Sequence, residues 1–185
     1  MKKITFNSPV ILSFVLASGI VLAAGFLTGG VITQKFFCVY KGSFTDPLFY
    51  LRLFTHVLGH ASWSHYSNNM ILILLVGPML EEKYGSGKLA AIIAAVALIT
   101  GVVHIFLPSD TALMGASGIV FAFILLASVT GTNKGIPATL IIVAVIYISQ
   151  EVYNGVILQD NISQLTHIIG GCMGAIFGMA LRGRN

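Results

Sequence analysis

Residues 114–120 read MGASGIV, and they lie near the start of an uncharged run that extends from Thr111 to Asn133. Ser117 stands there between small residues, at the mouth of a predicted helix. Small residues let membrane helices approach each other closely, which is one reason for a serine at this place. A serine hydroxyl also becomes a nucleophile when a neighbouring base takes its proton. The choice between packing and chemistry depends on what the rest of the chain places beside it.

The composition of the chain is far from that of a soluble domain. Of its 185 residues, 56% are hydrophobic and 9% are charged, and the mean hydropathy is +0.93. Soluble domains carry about 25% charged residues, so the shortfall predicts a surface that faces lipid. The net charge is +4, but the basic residues are scattered and form no face for nucleic acid. Cys38 and Cys172 lack metal-ligand spacing, so we expect free thiols and neither a metal nor another cofactor.

Six windows of the sequence approach the ~20 apolar residues that a helix needs to cross a ~30 Å hydrocarbon core. Turn-forming stretches such as EKYGSGK and YNG separate several of them. We therefore predict an all-α membrane protein with six transmembrane helices in one domain, residues 1–185. The predicted spans are Val10–Leu27, Trp63–Leu80, Leu89–Ser109, Thr111–Asn133, Gly135–Gln150 and Asn161–Leu181.

The basic residues predict the orientation of this bundle. With the N-terminus inside, seven Lys and Arg residues fall on the inner side and three on the outer side, which favours two cytoplasmic termini. The outer three lie in a connection of about 30–62 whose aromatic content predicts an interfacial hairpin. An alternative for the N-terminal segment is a cleaved signal peptide, although its apolar stretch exceeds the usual 7–15 residues.

Polar side chains from three predicted spans share one depth in the membrane. Such residues are costly within a span and are therefore candidates for a site. His65 and Asn69 are four residues apart and lie on one helix face. At 1.5 Å per residue, Asn69, Ser117 and His167 lie roughly 18, 25 and 22 Å above the inner ends of their spans. All three therefore belong to one layer in the outer half of the membrane.

Glycines in HIIGGCMGAIFG, residues 167–178, indicate how two of these spans meet. Gly170, Gly174 and Gly178 recur every four residues and form a smooth stripe on the face of His167. If this stripe packs on the small residues of the fourth span, His167 reaches the hydroxyl of Ser117. The nearest carboxylate in sequence is two turns away, so a Ser–His dyad is favoured over a triad.

An oxyanion formed by such a dyad requires hydrogen-bond donors. The start of the fourth span offers free backbone amides, with Gly115 and Ser117 as candidates, and the helix dipole aids them. His65 and Asn69 are the side-chain donors at the same depth. Asn69 has a plainer alternative, an interhelical hydrogen bond worth about 0.6 kcal/mol.

The ordered set HASWSHYSNN, GASG and THIIGGCMG resembles the rhomboid intramembrane serine proteases, bacterial members with a six-helix core in particular. The resemblance covers about residues 50–181 and extends to the acidic, glycine-bearing loop EEKYGSGK. Two positions depart from it. Leu51 stands where bacterial members often have tryptophan, and Phe121 stands where they often have tyrosine.

The resemblance implies a serine endopeptidase that cuts transmembrane proteins in or near their membrane segments. It implies a multi-pass protein of the bacterial inner membrane, whose water-filled cavity opens to the outer side under the loop of about 153–162. Ser117 and His167 are then catalytic, and His65, Asn69, Gly115 and the Ser117 amide bind the oxyanion. The remaining positions that the resemblance singles out support the site: Arg52, His60, Gly118, Phe121, Gly170 and Gly174.

Other interpretations stay open at this point. His56, His60 and His65 could bind a metal, although no Cys, Asp or Glu stands close to them. Glu81 and Glu82 are expected to be solvated or to fix a loop. A catalytically inactive rhomboid-fold protein that binds transmembrane clients is the main alternative function. A small transporter is less favoured, because the spans show no inverted repeat.

Overall fold

The computed structural model describes residues 6–108, 111–129, 136–157 and 164–181. Over these ranges the protein is all-helical, and one isolated antiparallel bridge joins Val39 to Leu113. A 3₁₀ turn, His56–Leu58, follows the third helix. The helices are α1 Pro9–Leu27, α2 Val31–Phe36, α3 Pro47–Thr55, α4 Trp63–Tyr84, α5 Ser86–Phe106, α6 Ser117–Val129, α7 Ala138–Ile157 and α8 Gln164–Ala180.

The two helices α1 and α5 are long and apolar enough to cross a membrane, and α6 and α8 are shorter apolar helices. Large apolar side chains are also exposed on the outside of the bundle, among them Leu75 on α4 and Ile146 on α7. A soluble protein does not expose so much apolar surface, whereas a lipid-facing protein does. The protein is therefore an integral membrane protein.

Every predicted span overlaps one of the helices α1, α4, α5, α6, α7 and α8, although α1, α4, α5 and α7 extend beyond the predicted bounds, and the count of six membrane crossings stays a prediction. The same holds for the orientation. Five of the basic residues on which it depends lie outside the described ranges: Lys2, Lys3, Lys134, Arg182 and Arg184.

The connection predicted as a hairpin contains α2, α3 and the 3₁₀ turn. Asp46 caps α3 by accepting from the amide of Leu48 at 2.9 Å, and it also pairs with Arg52 at 3.1 Å. Arg52 is only 3% exposed, and its guanidinium stacks 4.3 Å from the ring centroid of Tyr40. A planar cation suits a contact that combines ion pairing with ring stacking. Arg52 therefore joins α3 to the segment around Tyr40, next to the bridge residue Val39.

The α6–α8 interface depends on residues without side chains. A Cβ atom on Gly170 would overlap the backbone of Gly118, and one on Gly174 would overlap the backbone of Ala122. Gly178 continues the contact one turn further on, against Val129. The two helices thus approach backbone to backbone along the predicted stripe.

Near the C-terminal end of α4, a buried carboxylate holds three helices together. Glu81, near the end of α4, accepts hydrogen bonds from the amides of Val10 and Ile11 at 3.0 Å each. It also accepts from the hydroxyl of Ser86 at 2.7 Å. Of the two expectations for Glu81, solvation is therefore wrong, because the residue is 4% exposed and fixes the first turn of α1. Its neighbour Glu82 is exposed.

Candidate active site

Ser117 and His167 meet at one end of the α6–α8 interface. Ser117 is the first residue of α6, and His167 lies in the first turn of α8. The Nε2 atom of His167 lies 2.7 Å from the Oγ atom of Ser117, which is hydrogen-bond distance. The Phe121 ring, one turn along α6, lies 4.9 Å from the His167 ring between centroids. A base in contact with a serine hydroxyl, held by an aromatic ring, can activate that hydroxyl.

The loop before Ser117 has a backbone that suits glycine. Gly115 has a φ of +122°, a conformation that L residues with a side chain rarely adopt. A Cβ atom at this position would lie 2.6 Å from the Nε2 atom of His65. Gly115 therefore allows the loop both to bend and to touch the imidazole of α4.

The amide of Gly115 is engaged within the protein, contrary to the expectation that it serves an oxyanion. It donates a hydrogen bond to the carbonyl oxygen of His56 at 3.0 Å. The amide of Ser117 belongs to the first residue of α6, and the first amides of a helix have no acceptor within that helix. It remains the backbone donor of the predicted set.

His65 and Asn69 reach the same loop from α4. Ser62 caps this helix by accepting from the amide of His65 at 3.1 Å, which positions the first turn. The Nδ2 atom of Asn69 lies 3.9 Å from the point where a Gly115 Cβ would stand. Asn69 is 7% exposed, and its Nδ2 atom has no hydrogen-bond partner among the described residues. A buried amide group without a partner calls for an explanation, and a ligand beside Gly115 would supply one.

His60 supports this cluster from the loop before α4. Its ring lies 5.0 Å from that of His65 and 5.5 Å from that of Tyr66, both edge to face. Its Nδ1 atom is paired with the carbonyl of Leu58 at 3.2 Å. Burial, assisted by the nearby His65, lowers the pKa of His60 from its ordinary 6.5 to about 4. The ring is therefore neutral near pH 7.

The three histidines that could have formed a metal site point to different partners. The Nε2 atom of His56 pairs with the carbonyl of Ala97 at 3.0 Å, away from the contact between His60 and His65. No cluster of three or more His, Cys, Asp or Glu side chains occurs within the part of the chain that the structure describes. The geometry therefore offers no support for the metal alternative.

The sequence reasoning missed two threonines close to the serine. A cavity of about 10 Å³, the space of roughly one water molecule, adjoins Ser117 and is bordered by Thr100, Thr166 and His56. Near the C-terminal end of α5, His104 pairs with the carbonyl of Thr111 at 2.9 Å, which ties this helix to the segment before Ser117. Thr100 and His104 are four residues apart in an apolar helix, and this spacing of polar residues could have revealed Thr100 and His104 as candidates.

Two expectations about this site fall wholly or partly outside the described residues. The predicted roof loop of about 153–162 overlaps residues 158–163, which the structure does not describe. The same applies to Asp160, the carboxylate nearest to His167 in sequence.

The fold and the site together define the class of protein. It is an all-helical membrane protein in which a serine and a histidine are in contact near one end of two glycine-packed helices. The sequence model of the Rhomboid domain matches residues 48–184. This range includes α4 to α8 and all of α3 except its first residue, and with them His65, Asn69, Ser117 and His167. A comparison with curated proteins finds no match. The chain belongs to the rhomboid family, whose members are generally intramembrane serine proteases that act on membrane proteins.

Proposed function

We propose that this protein is a serine endopeptidase that cleaves transmembrane proteins in or near their membrane segments. One observation carries the proposal, the 2.7 Å separation of Ser117 Oγ and His167 Nε2. A serine without a base is a weak nucleophile, and a histidine at this distance removes that obstacle.

The reaction follows from the position of each group. Ser117 Oγ attacks the scissile carbonyl carbon while His167 Nε2 takes the hydroxyl proton. When the tetrahedral intermediate collapses, the C–N bond breaks and His167 gives the proton to the leaving amine. Water then attacks the acyl-enzyme, with His167 again as base, and releases the second product and the free serine.

The negative oxygen of the intermediate needs donors that are already in place. The Ser117 amide, the His65 ring and the Asn69 amide group are the proposed set. Among these donors, Asn69 has the most direct structural support, because its buried Nδ2 atom lacks a hydrogen-bond partner among the described residues. Gly115 takes part through its missing side chain, which leaves room beside His65.

The location of the site completes the proposal. We place the protein in a bacterial inner membrane with six crossings in a single domain, both termini in the cytoplasm and the cavity open to the outer side. The charge bias of the loops supports this orientation. Arg52, His60, Gly118, Phe121, Gly170 and Gly174 support the site rather than take part in the chemistry.

The test is proteolysis of a transmembrane substrate by the purified full-length protein in detergent or vesicles. We expect Ser117→Ala and His167→Ala each to lower kcat by about 10⁴-fold or more. Ser128→Ala is the matched control, because Ser128 lies on the same helix and its hydroxyl donates to the carbonyl of Leu125. A fluorophosphonate should label the parent and the control but not Ser117→Ala.

Cleavage by Ser117→Ala at the rate of the parent would refute the proposal. Parent protein that neither cleaves nor takes the label, yet co-purifies with membrane proteins, would favour the client-binding alternative instead.

A further inference from the structure

Two sulfur atoms meet beside the loop that leads to Ser117. The thiol of Cys38 donates to the Sδ atom of Met114, and the two sulfur atoms are 3.9 Å apart. The contact lies next to the antiparallel bridge between Val39 and Leu113. Because the two residues are 76 positions apart in the chain, no ligand spacing in the sequence indicates this pair.

The separation of the two sulfur atoms suits two ligands of one metal ion. With metal–sulfur bonds of about 2.3 Å, a separation of 3.9 Å gives a sulfur–metal–sulfur angle of about 116°. This angle lies between the tetrahedral and trigonal values of about 109° and about 120°. A metal ion can therefore take the place of the thiol proton without a rearrangement of the two side chains.

A cavity of about 500 Å³ connects this pair to the surface. Cys38 and Met114 both border it, together with the exposed residues Gln34 and Lys35. The charge of Lys35 is exposed and is therefore screened by salt. An ion from the surrounding solution thus has a path to the two sulfur atoms.

A third ligand is available in the loop before α4. The Nδ1 atom of His60 pairs with the carbonyl oxygen of Leu58, and because that oxygen only accepts, the proton of the neutral ring lies on Nδ1. The Nε2 atom then presents a lone pair, yet it is buried and has no hydrogen-bond partner among the described residues. His60 is 3% exposed and borders a cavity of about 310 Å³ that Met114 also borders. A metal ion beside Met114 would account for the unpaired nitrogen.

The ligand chemistry and the charge of the site select the ion. Thiolate and thioether sulfur are soft ligands, which favour Cu⁺ over harder cations. One thiolate neutralises a monovalent ion, whereas Zn²⁺ would leave a buried net positive charge near Arg52. Burial raises the pKa of the Cys38 thiol to about 11, so binding near pH 7 releases one proton.

We propose that Cys38 Sγ, Met114 Sδ and His60 Nε2 bind one Cu⁺ ion, for which Ag⁺ is a probe of the same charge and softness. On binding, the S–H bond of Cys38 breaks, a sulfur–metal bond forms, the proton passes to solvent and no electron is transferred. The set differs from the three-histidine alternative because two of its ligands are sulfur atoms. The proposal is independent of proteolytic activity.

The experiment measures binding of Ag⁺ to the full-length protein in detergent by isothermal titration calorimetry. The reference protein is the Cys172→Ser variant, because Cys172 is an exposed thiol that would bind the same ion. We expect one tight site per chain and the release of about one proton at pH 7, measured in buffers of different ionisation enthalpy. Zn²⁺ should bind at least about 100-fold more weakly.

Single substitutions in the reference protein test each ligand. Cys38→Ser should weaken Ag⁺ binding by about 100-fold or more, and His60→Gln and the volume-conserving Met114→Leu should each weaken it by about tenfold. Met79→Leu is the matched control, because Met79 is an exposed methionine of α4, and it should bind as the reference does. X-ray absorption of the Cu⁺-loaded reference protein should show two sulfur ligands and one nitrogen ligand, and Met114→Leu should show one sulfur ligand fewer.

Three results would overturn the proposal. The first is a Cys38→Ser variant that binds Ag⁺ as tightly as the reference, because the ion would then lie elsewhere. The second is equal affinity of Met114→Leu and Met79→Leu, which would reduce the site to a lone thiol; if Cys38→Ser does not fold, this comparison decides. The third is an unchanged nitrogen signal in His60→Gln, which would exclude the three-ligand set.

Discussion

The amide nitrogen of Gly115 donates to the carbonyl oxygen of His56 at 3.0 Å, and this bond ties the loop before Ser117 to the hairpin. Two residues earlier, the bridge between Val39 and Leu113 holds the same loop with bonds of 2.9 and 2.8 Å. A misplacement of about 1 Å at a reacting group can lower a rate by about 10²-fold. The hairpin therefore bears on the position of Ser117 through these backbone bonds.

We expect Asn69→Ala to lower kcat by about 10²–10³-fold, with a smaller change in KM. A donor that meets the oxyanion acts mainly in the transition state, so its loss affects kcat more than substrate binding. Steady-state cleavage of a transmembrane substrate measures both constants.

The neighbouring Asn68 provides the control for this prediction. It is exposed on the same turn of α4, and Asn68→Ala should retain the kcat of the parent. An Asn69→Ala variant that cleaves as fast as Asn68→Ala would remove Asn69 from the proposed oxyanion site.

Gly174→Ala should destabilise the protein by about 1–3 kcal/mol. The added methyl group meets the backbone of Ala122, which cannot rotate away as a flexible side chain would. The free energy of unfolding in mixed micelles measures the effect, and cleavage activity should fall with it because α8 carries His167.

Gly87→Ala is the matched substitution at an open position, since no heavy atom lies within 4 Å of a Cβ built there. It should leave stability unchanged or slightly raised, because alanine favours a helix. Equal stabilities of Gly174→Ala and Gly87→Ala would mean that α6 and α8 do not pack as tightly as described.

Acid should destabilise the protein in the pH window between about 6.5 and 4. Burial lowers the pKa values of His56 and His60 from 6.5 to about 4, so the unfolded chain binds protons in this window that the folded protein does not. The contribution of these two neutral rings to the free energy of unfolding is fully present above pH 6.5 and is lost as the pH falls towards 4. Unfolding midpoints measured at a series of pH values test this directly.

A His60→Gln variant isolates one of the two contributions. Its stability should fall less steeply with acid between pH 6.5 and 4 than that of the parent, whatever its stability at pH 7. Parallel curves for the two proteins would show that His60 takes up its proton equally in the folded and unfolded states.

Local pattern made part of this structure predictable from the sequence. The four-residue recurrence of Gly170, Gly174 and Gly178 indicated the face on which α8 packs, and the i, i+4 spacing placed His65 and Asn69 together. Periodicity along one helix carries this information because the residues concerned are neighbours on a helix surface.

Contacts between distant segments were beyond such reasoning. The bridge of Val39 to Leu113 and the engagement of the Gly115 amide by His56 join segments far apart in the chain, and neither leaves a local pattern. For this reason Gly115 was expected among the oxyanion donors, when its amide is already bonded. Glu81 is a similar case, since the two amides that donate to it, those of Val10 and Ile11, lie about 70 residues away.

Removal of the Glu81 carboxylate should destabilise the protein by about 2–4 kcal/mol in Glu81→Ala. The amides of Val10 and Ile11 and the hydroxyl of Ser86 would all lose their acceptor. The negative charge also lies at the positive end of the α1 dipole, which adds to the loss. Thermal or denaturant unfolding in mixed micelles measures the change.

Two further variants separate the carboxylate from its surroundings. Glu81→Gln keeps one acceptor oxygen without the charge and should lie between Glu81→Ala and the parent, whereas Glu82→Ala, at the exposed neighbour, should change stability by no more than about 0.5 kcal/mol. If Glu81→Ala is as stable as Glu82→Ala, water replaces the carboxylate at the start of α1, and the buried contact between α1, α4 and α5 contributes nothing to the stability of the bundle.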